Sequence, residues 1–155
     1  MTVFYASLNS PLGPLTVFEE AGAITVLEWG HAPGSRSSPL INQATRQLTE
    51  YFDGMRRDFD LPLNPAGTPF RKSIWAAMQK IPYGETWTYG ELAQAAGAKP
   101  GAGRATGAAC GANPTPILIP CHRVVGANGA LTGYSGGEGI ETKKILLRLE
   151  GARLI

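Results

Sequence analysis

The chain has 155 residues, of which 43% are hydrophobic, which is enough for one ordinary core or for two small lobes packed together. No stretch approaches the length of a membrane span, and the first ten residues lack the pattern of a signal peptide, so we expect a cytoplasmic protein without membrane contact. Its two cysteines, Cys110 and Cys121, are too few for a disulfide framework and are expected to be free thiols.

The net charge of +2 is unevenly distributed along the chain. Residues 1–66 contain four Arg/Lys and seven Asp/Glu, a net charge of −3, whereas residues 67–155 contain ten and five, a net charge of +5. The second part is therefore the one suited to a polyanion, although a slightly basic solvated surface would have the same charge.

The first part of the sequence predicts strands followed by one helix. Residues 1–8 (MTVFYASL) and 13–29 (GPLTVFEEAGAITVLEW) are rich in β-branched and aromatic residues, and EEAG within the second stretch is typical of a hairpin turn. Residues 40–54 have apolar side chains at helical spacing and end at Gly54. Residues 61–67 (LPLNPAG) read as a linker, so we expect an α/β domain over residues 1–66.

The second part predicts helices. In TPFRKSIWAAMQK, Thr68 is a candidate N-cap with Pro69 at the first helical position, and Phe70, Ile74, Ala77 and Met78 form an apolar stripe. A second helix follows in TYGELAQAAG, where Thr88 and Glu91 have the spacing of a capping box and Gly97 is a natural stop.

A short turn then leads to GAGRATGAAC, residues 101–110, and two short helices joined by a tight turn indicate a helix-turn-helix. The glycines at 101, 103 and 107 each disfavour a helix by roughly 1 kcal/mol. They indicate either close approach of another molecule to the backbone or helix packing through small residues. In this segment only Arg104 and Thr106 have side chains that could hydrogen-bond a base, whereas helices that read the major groove usually present several Arg, Asn or Gln. The sequence therefore favours a thin helix that enters the minor groove and binds DNA with little sequence preference.

The segment NPTPILIPCHRVV, residues 113–125, contains the strongest chemical signal. A cysteine thiol has a pKa of roughly 8.5 and needs help to ionise, and His122 and Arg123 follow Cys121 directly. Adjacent residues of an extended segment point to opposite sides, so a bridging water is expected to connect the thiol to the imidazole. A third group must hold the imidazole.

Glu150 is a candidate for that third group. It lies in the last turn of a predicted helix, ETKKILLRLEG, which is expected to pack through Ile145, Leu146 and Leu149. A negative charge there opposes the helix dipole by roughly 0.3–1 kcal/mol, which suggests a specific role, although position alone favours a surface glutamate.

Metal and dinucleotide sites are weaker interpretations. Cys110, Cys121 and His122 lack the paired spacing of zinc ligands, and His31 is the other histidine of the chain. GAGRATG follows a predicted helix rather than a strand, unlike a dinucleotide-binding loop.

The sequence resembles the O6-alkylguanine-DNA alkyltransferases, also called methylated-DNA–protein-cysteine methyltransferases. The resemblance is carried by PCHRV within NPTPILIPCHRVV and by YGETWTYGELA, RATGAA, GALTGYSGG and the terminal LLRLEG. It implies a ribonuclease H-like α/β domain over residues 1–66. It also implies a mostly helical domain over residues 67–155 with a winged-helix-like helix-turn-helix.

The resemblance also implies roles for individual residues. Cys121 is the alkyl acceptor, His122 takes its proton through a water, and Glu150 orients the imidazole. By the same resemblance, Asn113 braces the turn before the active-site segment, and Arg104 replaces the flipped nucleotide in the stack, beside Ala105 and Thr106 on the DNA-binding helix. Tyr89 helps to rotate the nucleotide and donates to the base. The guanine is surrounded by Tyr134, Ser135, Lys143 and Pro116, and its amino edge is read by the backbone of Val124 and Cys121.

These implications predict a monomeric repair protein that binds double-stranded DNA and, in a bacterium, associates with the nucleoid. No cofactor is expected, because the lesion supplies the alkyl group. Some members of the family hold a zinc ion in the first domain through Cys and His, but residues 1–66 contain no cysteine and one histidine, His31, so no metal is expected. Three alternatives remain open: a lesion-sensing DNA-binding protein without transfer activity, a cysteine hydrolase, and a sequence-specific DNA-binding regulator.

Overall fold

A computed structural model describes residues 2–131, 134, 136–137 and 139–152. The chain divides into two compact units, Met1–Ala66 and Gly67–Ile155. No helix within the described residues is long and apolar enough to cross a membrane.

The first unit contains a small antiparallel sheet and one helix. Strands β1 (Val3–Leu8), β2 (Leu15–Glu20) and β3 (Ala23–Trp29) lie in the order β1-β2-β3. The β2–β3 connection is the predicted hairpin turn, in which Ala21 and Gly22 both have positive φ, 50° and 81°, as the twist of a two-residue hairpin requires.

Helix α1 (Pro39–Phe52) covers this sheet and completes the core of the first unit. The Ser38 side chain caps it by accepting a hydrogen bond from the Ile41 amide, and Pro39 stands at the first position, where its missing N–H costs nothing. The apolar core side chains of this unit come from β2, β3 and the inner face of the helix: Leu15, Val17, Ile24, Leu27, Ile41, Ala44, Leu48 and Tyr51.

The second unit is mostly helical. It contains α2 (Pro69–Met78), α3 (Tyr89–Ala95), α4 (Gly103–Gly111) and α5 (Ile140–Leu149), together with a parallel pair of two-residue strands, β4 (Trp87–Thr88) and β5 (Val124–Val125). A small sheet domain followed by a helical domain is the fold class that the sequence predicts.

The capping residues in the sequence correctly predict where α2 and α3 begin. Thr68 caps α2, and Thr88 and Glu91 form both hydrogen bonds of the predicted capping box. Helix α4 begins at Gly103, two residues later than predicted, because the positive φ of Gly101 (88°) keeps that residue outside the helix. The Trp75 indole N–H donates to the Ala109 carbonyl at 2.8 Å and ties α2 to the last turn of α4.

Two residues expected in apolar stripes are exposed instead. Phe70, in the first turn of α2, is 36% exposed, and Ile145 on α5 is 41% exposed. The buried face of α5 runs through Thr142, Lys143, Leu146 and Leu147. The predicted packing of α5 is confirmed for Leu146 and was wrong for Ile145, because a polar pair, Thr142 and Lys143, occupies part of the inner face.

Candidate active site

The segment between α4 and Cys121 is held by the side chain of Asn113. Its Nδ2 donates to the Ile119 carbonyl at 2.8 Å, and its Oδ1 accepts from the Thr115 amide at 3.0 Å. Ile117 between them has a φ of +73°, which is rare for a β-branched residue and costs about 1–3 kcal/mol. A strained, fully buried backbone therefore leads directly to the cysteine.

Cys121 begins a 3₁₀ turn, Cys121–Arg123, and not the extended segment that the sequence analysis assumed. Its side chain is buried, with 9% of the residue exposed. Burial raises the pKa of the thiol. Hydrogen bonding with Asn113, the charge of Lys143 and hydrogen bonding with Tyr134 act in the opposite direction and lower it, but by less. The resting cysteine is therefore a neutral thiol beside groups that stabilise its thiolate.

The imidazole of His122 is fully buried and is hydrogen-bonded to a carboxylate. Its Nε2 lies 2.8 Å from Glu150 Oε2. Burial lowers the pKa of His122 despite the hydrogen bond and charge of Glu150, so the ring is neutral at pH 7. Glu150 is ionised and can only accept, so Nε2 donates the proton and Nδ1 has the free lone pair.

Nδ1 of His122 is buried and has no hydrogen-bond partner among the described residues. A neutral imidazole with an unused lone pair beside a thiol can act as a general base. The contact between His122 and Glu150 that the sequence analysis expected is present.

Arg123 holds the same carboxylate from the other side. Its Nε donates to Glu150 Oε1 at 2.8 Å and its Nη2 donates to Oε2 at 2.9 Å, which is a bidentate pair. Burial alone would raise the pKa of Glu150, but hydrogen bonds from His122 and Arg123, the charge of Arg123 and that of His122 once it is protonated at low pH lower it to about 2. Sequence reasoning identified Arg123 only as added positive charge and missed this clamp.

Lys143 lies on the inner face of α5 and is 1% exposed. Its Nζ donates to the Val124 carbonyl. Burial lowers the pKa of this lysine, whereas negative charge on either cysteine raises it. Lys143 thus lies beside the Cys121 thiol. It already binds the carbonyl of Val124, whose backbone is expected to read guanine.

Tyr89 is brought toward the same segment by the parallel strand pair. Trp87 pairs with Val124 and Thr88 pairs with Val125, and Tyr89 follows as the first residue of α3. Its side chain is half-buried.

Two family models together match most of the chain. Residues 3–65 match the ribonuclease-like domain of 6-O-methylguanine DNA methyltransferase, and residues 69–152 match its DNA binding domain. The chain belongs to the 6-O-methylguanine DNA methyltransferase family.

Individual relatives agree with this assignment. The chain is 42% identical to the methylated-DNA–protein-cysteine methyltransferase of Methanosarcina acetivorans, with 97% of this chain and 99% of the relative covered. The crystal structure of the Mycobacterium tuberculosis O6-methylguanine methyltransferase is 43% identical, with a TM-score of 0.84 over 99% of this chain and 96% of that one. The M. tuberculosis OGT in complex with DNA is 44% identical, with a TM-score of 0.83 over 94% and 92%.

Helix α4 presents part of its predicted DNA-binding set to solvent. Arg104 and Ala105 are exposed. Thr106 is completely buried, and its hydroxyl has no partner among the residues that the structure describes. The predicted DNA contact of the Thr106 side chain is therefore wrong for this structure, because the residue lies on the inner face of the helix.

The glycines of α4 are not required by packing within the described residues. A Cβ atom built on Gly103 or Gly107 meets no heavy atom within 4 Å. Helix packing through small residues therefore does not explain these two positions, and the other interpretation, close approach of another molecule, is favoured.

The remaining predicted pocket residues have different outcomes. Pro116 is buried in the loop before Cys121. Tyr134 interacts with Cys121, and burial together with the charge and hydrogen bonding of Cys121 raises the pKa of the phenol well above 10, so it stays protonated. Ser135 lies outside the described residues.

Proposed function

We propose that this protein repairs O6-alkylguanine in DNA by moving the alkyl group irreversibly to the sulfur of its own Cys121. The observation that carries the proposal is the buried His122–Glu150 pair at 2.8 Å beside the thiol, in a chain of this family. The protein is then a methylated-DNA–protein-cysteine methyltransferase, the activity named for its relatives.

The first step is loss of the thiol proton. His122 Nδ1 accepts the proton of Cys121 through a bridging water, and the resulting imidazolium is stabilised by the Glu150 carboxylate at Nε2. Asn113, Lys143 and Tyr134 stabilise the thiolate that forms, since each of them lowers the pKa of Cys121.

The second step is in-line attack of the thiolate on the alkyl carbon. A carbon–sulfur bond forms, the bond from carbon to O6 breaks, and guanine leaves as its neutral form after receiving a proton from Tyr89. The product is a thioether, which water does not cleave, so each molecule acts once. The lesion itself supplies the alkyl group, and the mechanism uses no cofactor.

Recognition of the flipped guanine is assigned to the segment around the turn. The backbone of Cys121 and Val124 faces its amino edge, while Pro116 and Tyr134 enclose the ring; the role predicted for Ser135 concerns a residue outside the described part of the chain. The Val124 carbonyl has two lone pairs, so the hydrogen bond from Lys143 leaves one for the base.

Helix α4 enters the minor groove of double-stranded DNA, within a winged-helix-like helix-turn-helix. The support is its exposed Arg104 and Ala105, its unpacked glycines and the net charge of +5 over residues 67–155. A helix with so few base-reading side chains binds with little sequence preference. We extend the proposal to a monomer in the cytoplasm, with a ribonuclease H-like first domain.

Replacing Gly107 with alanine tests the close approach to this helix. We expect the free energy of unfolding to rise by about 1 kcal/mol, because alanine favours a helix and the added methyl group meets no heavy atom of the described neighbouring residues within 4 Å. We expect DNA affinity to fall at the same time. Urea denaturation and fluorescence anisotropy with a duplex measure the two effects, and unchanged or tighter DNA binding would contradict the proposal.

The proposed reaction is tested with duplex DNA that carries labelled O6-methylguanine. We expect one equivalent of label per protein molecule, located on Cys121 and not on Cys110. Arg104 and Arg123 are consecutive tryptic sites, so both cysteines lie in the peptide 105–123 and fragment ions must assign the label.

The matched variant is Cys121→Ala, which should lose transfer and keep DNA binding. Label on another residue, or several turnovers per molecule, would refute the proposed reaction. The second outcome would indicate a hydrolase, since a hydrolase regenerates its cysteine.

A further inference from the structure

Arg123 is a buried cation that takes no part in the two steps of the proposed reaction. It is the last residue of the 3₁₀ turn that begins with Cys121, and 6% of it is exposed. Removing a charge from water is costly, so a buried guanidinium requires specific partners. The contacts of Arg123 therefore indicate what its charge does in the site.

The guanidinium of Arg123 binds both oxygens of Glu150. Its Nε donates to Oε1 at 2.8 Å and its Nη2 donates to Oε2 at 2.9 Å. The same Oε2 accepts from His122 Nε2 at 2.8 Å. Because two parallel hydrogen bonds from a planar group fix the plane of a carboxylate, Arg123 sets the orientation of the oxygen that holds the imidazole.

The segment between α2 and β4 anchors this arginine at a second point. Arg123 Nη1 donates to the Ile81 carbonyl at 2.7 Å, and the guanidinium carbon lies 5.7 Å from the centre of the Tyr83 ring. The Tyr83 hydroxyl donates to the Leu149 carbonyl at 3.2 Å, so the segment also contacts the last turn of α5. Arg123 is thus fixed by groups other than the carboxylate that it binds.

The buried charges balance while the imidazole is neutral. Arg123 carries +1 and Glu150 carries −1, so the pair with a neutral His122 has no net charge. Without the arginine, an uncompensated carboxylate would remain in the interior, and a second proton on the His122 ring would restore neutrality. The charges of Arg123 and Lys143 lower the pKa of His122, whereas Glu150 raises it.

We infer that Arg123 is a positioning residue for the transfer: its guanidinium holds Glu150 against His122 Nε2, and its charge keeps the imidazole neutral, so that Nδ1 can accept the Cys121 proton. The inference rests on the proposed function, because it assigns a further residue to the same site. Arg123 acts through Glu150 and not on the alkyl group.

Replacing Arg123 with methionine tests the role of the charge. We expect the His122 ring to carry two protons at pH 6.5 in this variant, whereas the unchanged protein keeps a neutral ring. Since a protonated ring cannot act as a base, single-turnover transfer should slow at least about tenfold between pH 8 and pH 6, against less than about threefold for the unchanged protein. Nitrogen-15 NMR of histidine-labelled protein and rapid-quench kinetics with saturating O6-methylguanine duplex measure the two effects.

Replacing Arg123 with lysine tests the role of the two parallel hydrogen bonds. The charge is kept, but an ammonium group cannot bind both carboxylate oxygens in parallel. We expect a neutral ring at pH 6.5 and the original pH dependence, with transfer about tenfold slower at each pH because the imidazole is less well oriented. This variant also decides the inference if the methionine variant does not fold.

Arg148→Met is the control for a cation lost from the end of the same helix. Arg148 is exposed in the last turn of α5, so its replacement should leave the charge of His122 and the pH dependence of transfer unchanged. A neutral His122 ring at pH 6.5 in Arg123→Met, or an unchanged transfer rate in Arg123→Lys, would overturn the inference. Failure of the unchanged protein to transfer would instead refute the proposed function, and the NMR spectra would still decide the role of Arg123.

Discussion

Replacing Glu150 with glutamine is expected to lower the free energy of unfolding at pH 7 by about 3 kcal/mol, because Arg123 then remains buried without its charge partner. Alkyl transfer should slow by about a hundredfold, since the imidazolium that forms on His122 loses its carboxylate. Urea denaturation and single-turnover transfer measure the two effects.

The same substitution changes the pH dependence of stability. The pKa of Glu150 in the folded protein, about 2, lies below its ordinary 4.5, so its contribution is complete above pH 4.5 and is lost as the pH falls toward 2. The lowered pKa of His122 acts in the same direction, with stability lost as the pH falls below 6.5. The glutamine variant should lack the first of these losses.

Glu141→Gln on the same helix provides the control. Glu141 is exposed and pairs with Lys144 at 3.4 Å, so its replacement should change the free energy of unfolding by less than about 0.5 kcal/mol. Equal stability of the Glu150 and Glu141 variants would contradict a structural role for the buried pair.

Replacing Arg104 with alanine is expected to slow repair of O6-methylguanine in duplex DNA by about 10- to 100-fold. A side chain that stacks in place of a flipped base contributes about 1–3 kcal/mol, and flipping is the step it supports. Reaction with free O6-benzylguanine should change less than about twofold, because the free base needs no flipping. Rapid-quench kinetics at fixed salt compare the two substrates.

Lys99→Ala is the control for charge. Lys99 is exposed in the turn before α4, so its loss removes one cation without removing the stacking side chain. It should weaken binding in a salt-dependent manner and leave the reaction of bound DNA near its original rate. An equal effect of Arg104→Ala on duplex DNA and on the free base would remove the stacking role.

Local features of the fold were predictable because their causes lie within a few residues. The Ala21-Gly22 hairpin, the Thr68 cap and the Thr88–Glu91 capping box all depend on short-range hydrogen bonds or backbone preferences. The choice of helix face depends on packing from distant parts of the chain. This explains why Phe70 and Ile145 were misplaced.

The catalytic set was predictable where residue chemistry demanded it. A cysteine followed by histidine requires a third group, and Glu150 stood out because its charge opposes the helix dipole. The Arg123 clamp and the Lys143–Val124 hydrogen bond were missed, because no residue chemistry near Arg123 or Lys143 indicates which distant group its side chain binds. Thr106 was misassigned because a polar side chain near an exposed arginine does not reveal which face of the helix it occupies.

The most direct test of the account is the tautomer and charge of His122, because the reaction requires a neutral ring that accepts the Cys121 proton at Nδ1. The chain has two histidines, His31 and His122, so nitrogen-15 NMR of histidine-labelled protein can be assigned with a His31→Gln variant. We predict a proton on Nε2, none on Nδ1, and a ring still neutral at pH 6.5. A proton on Nδ1, or a charged ring at pH 7, would contradict the account.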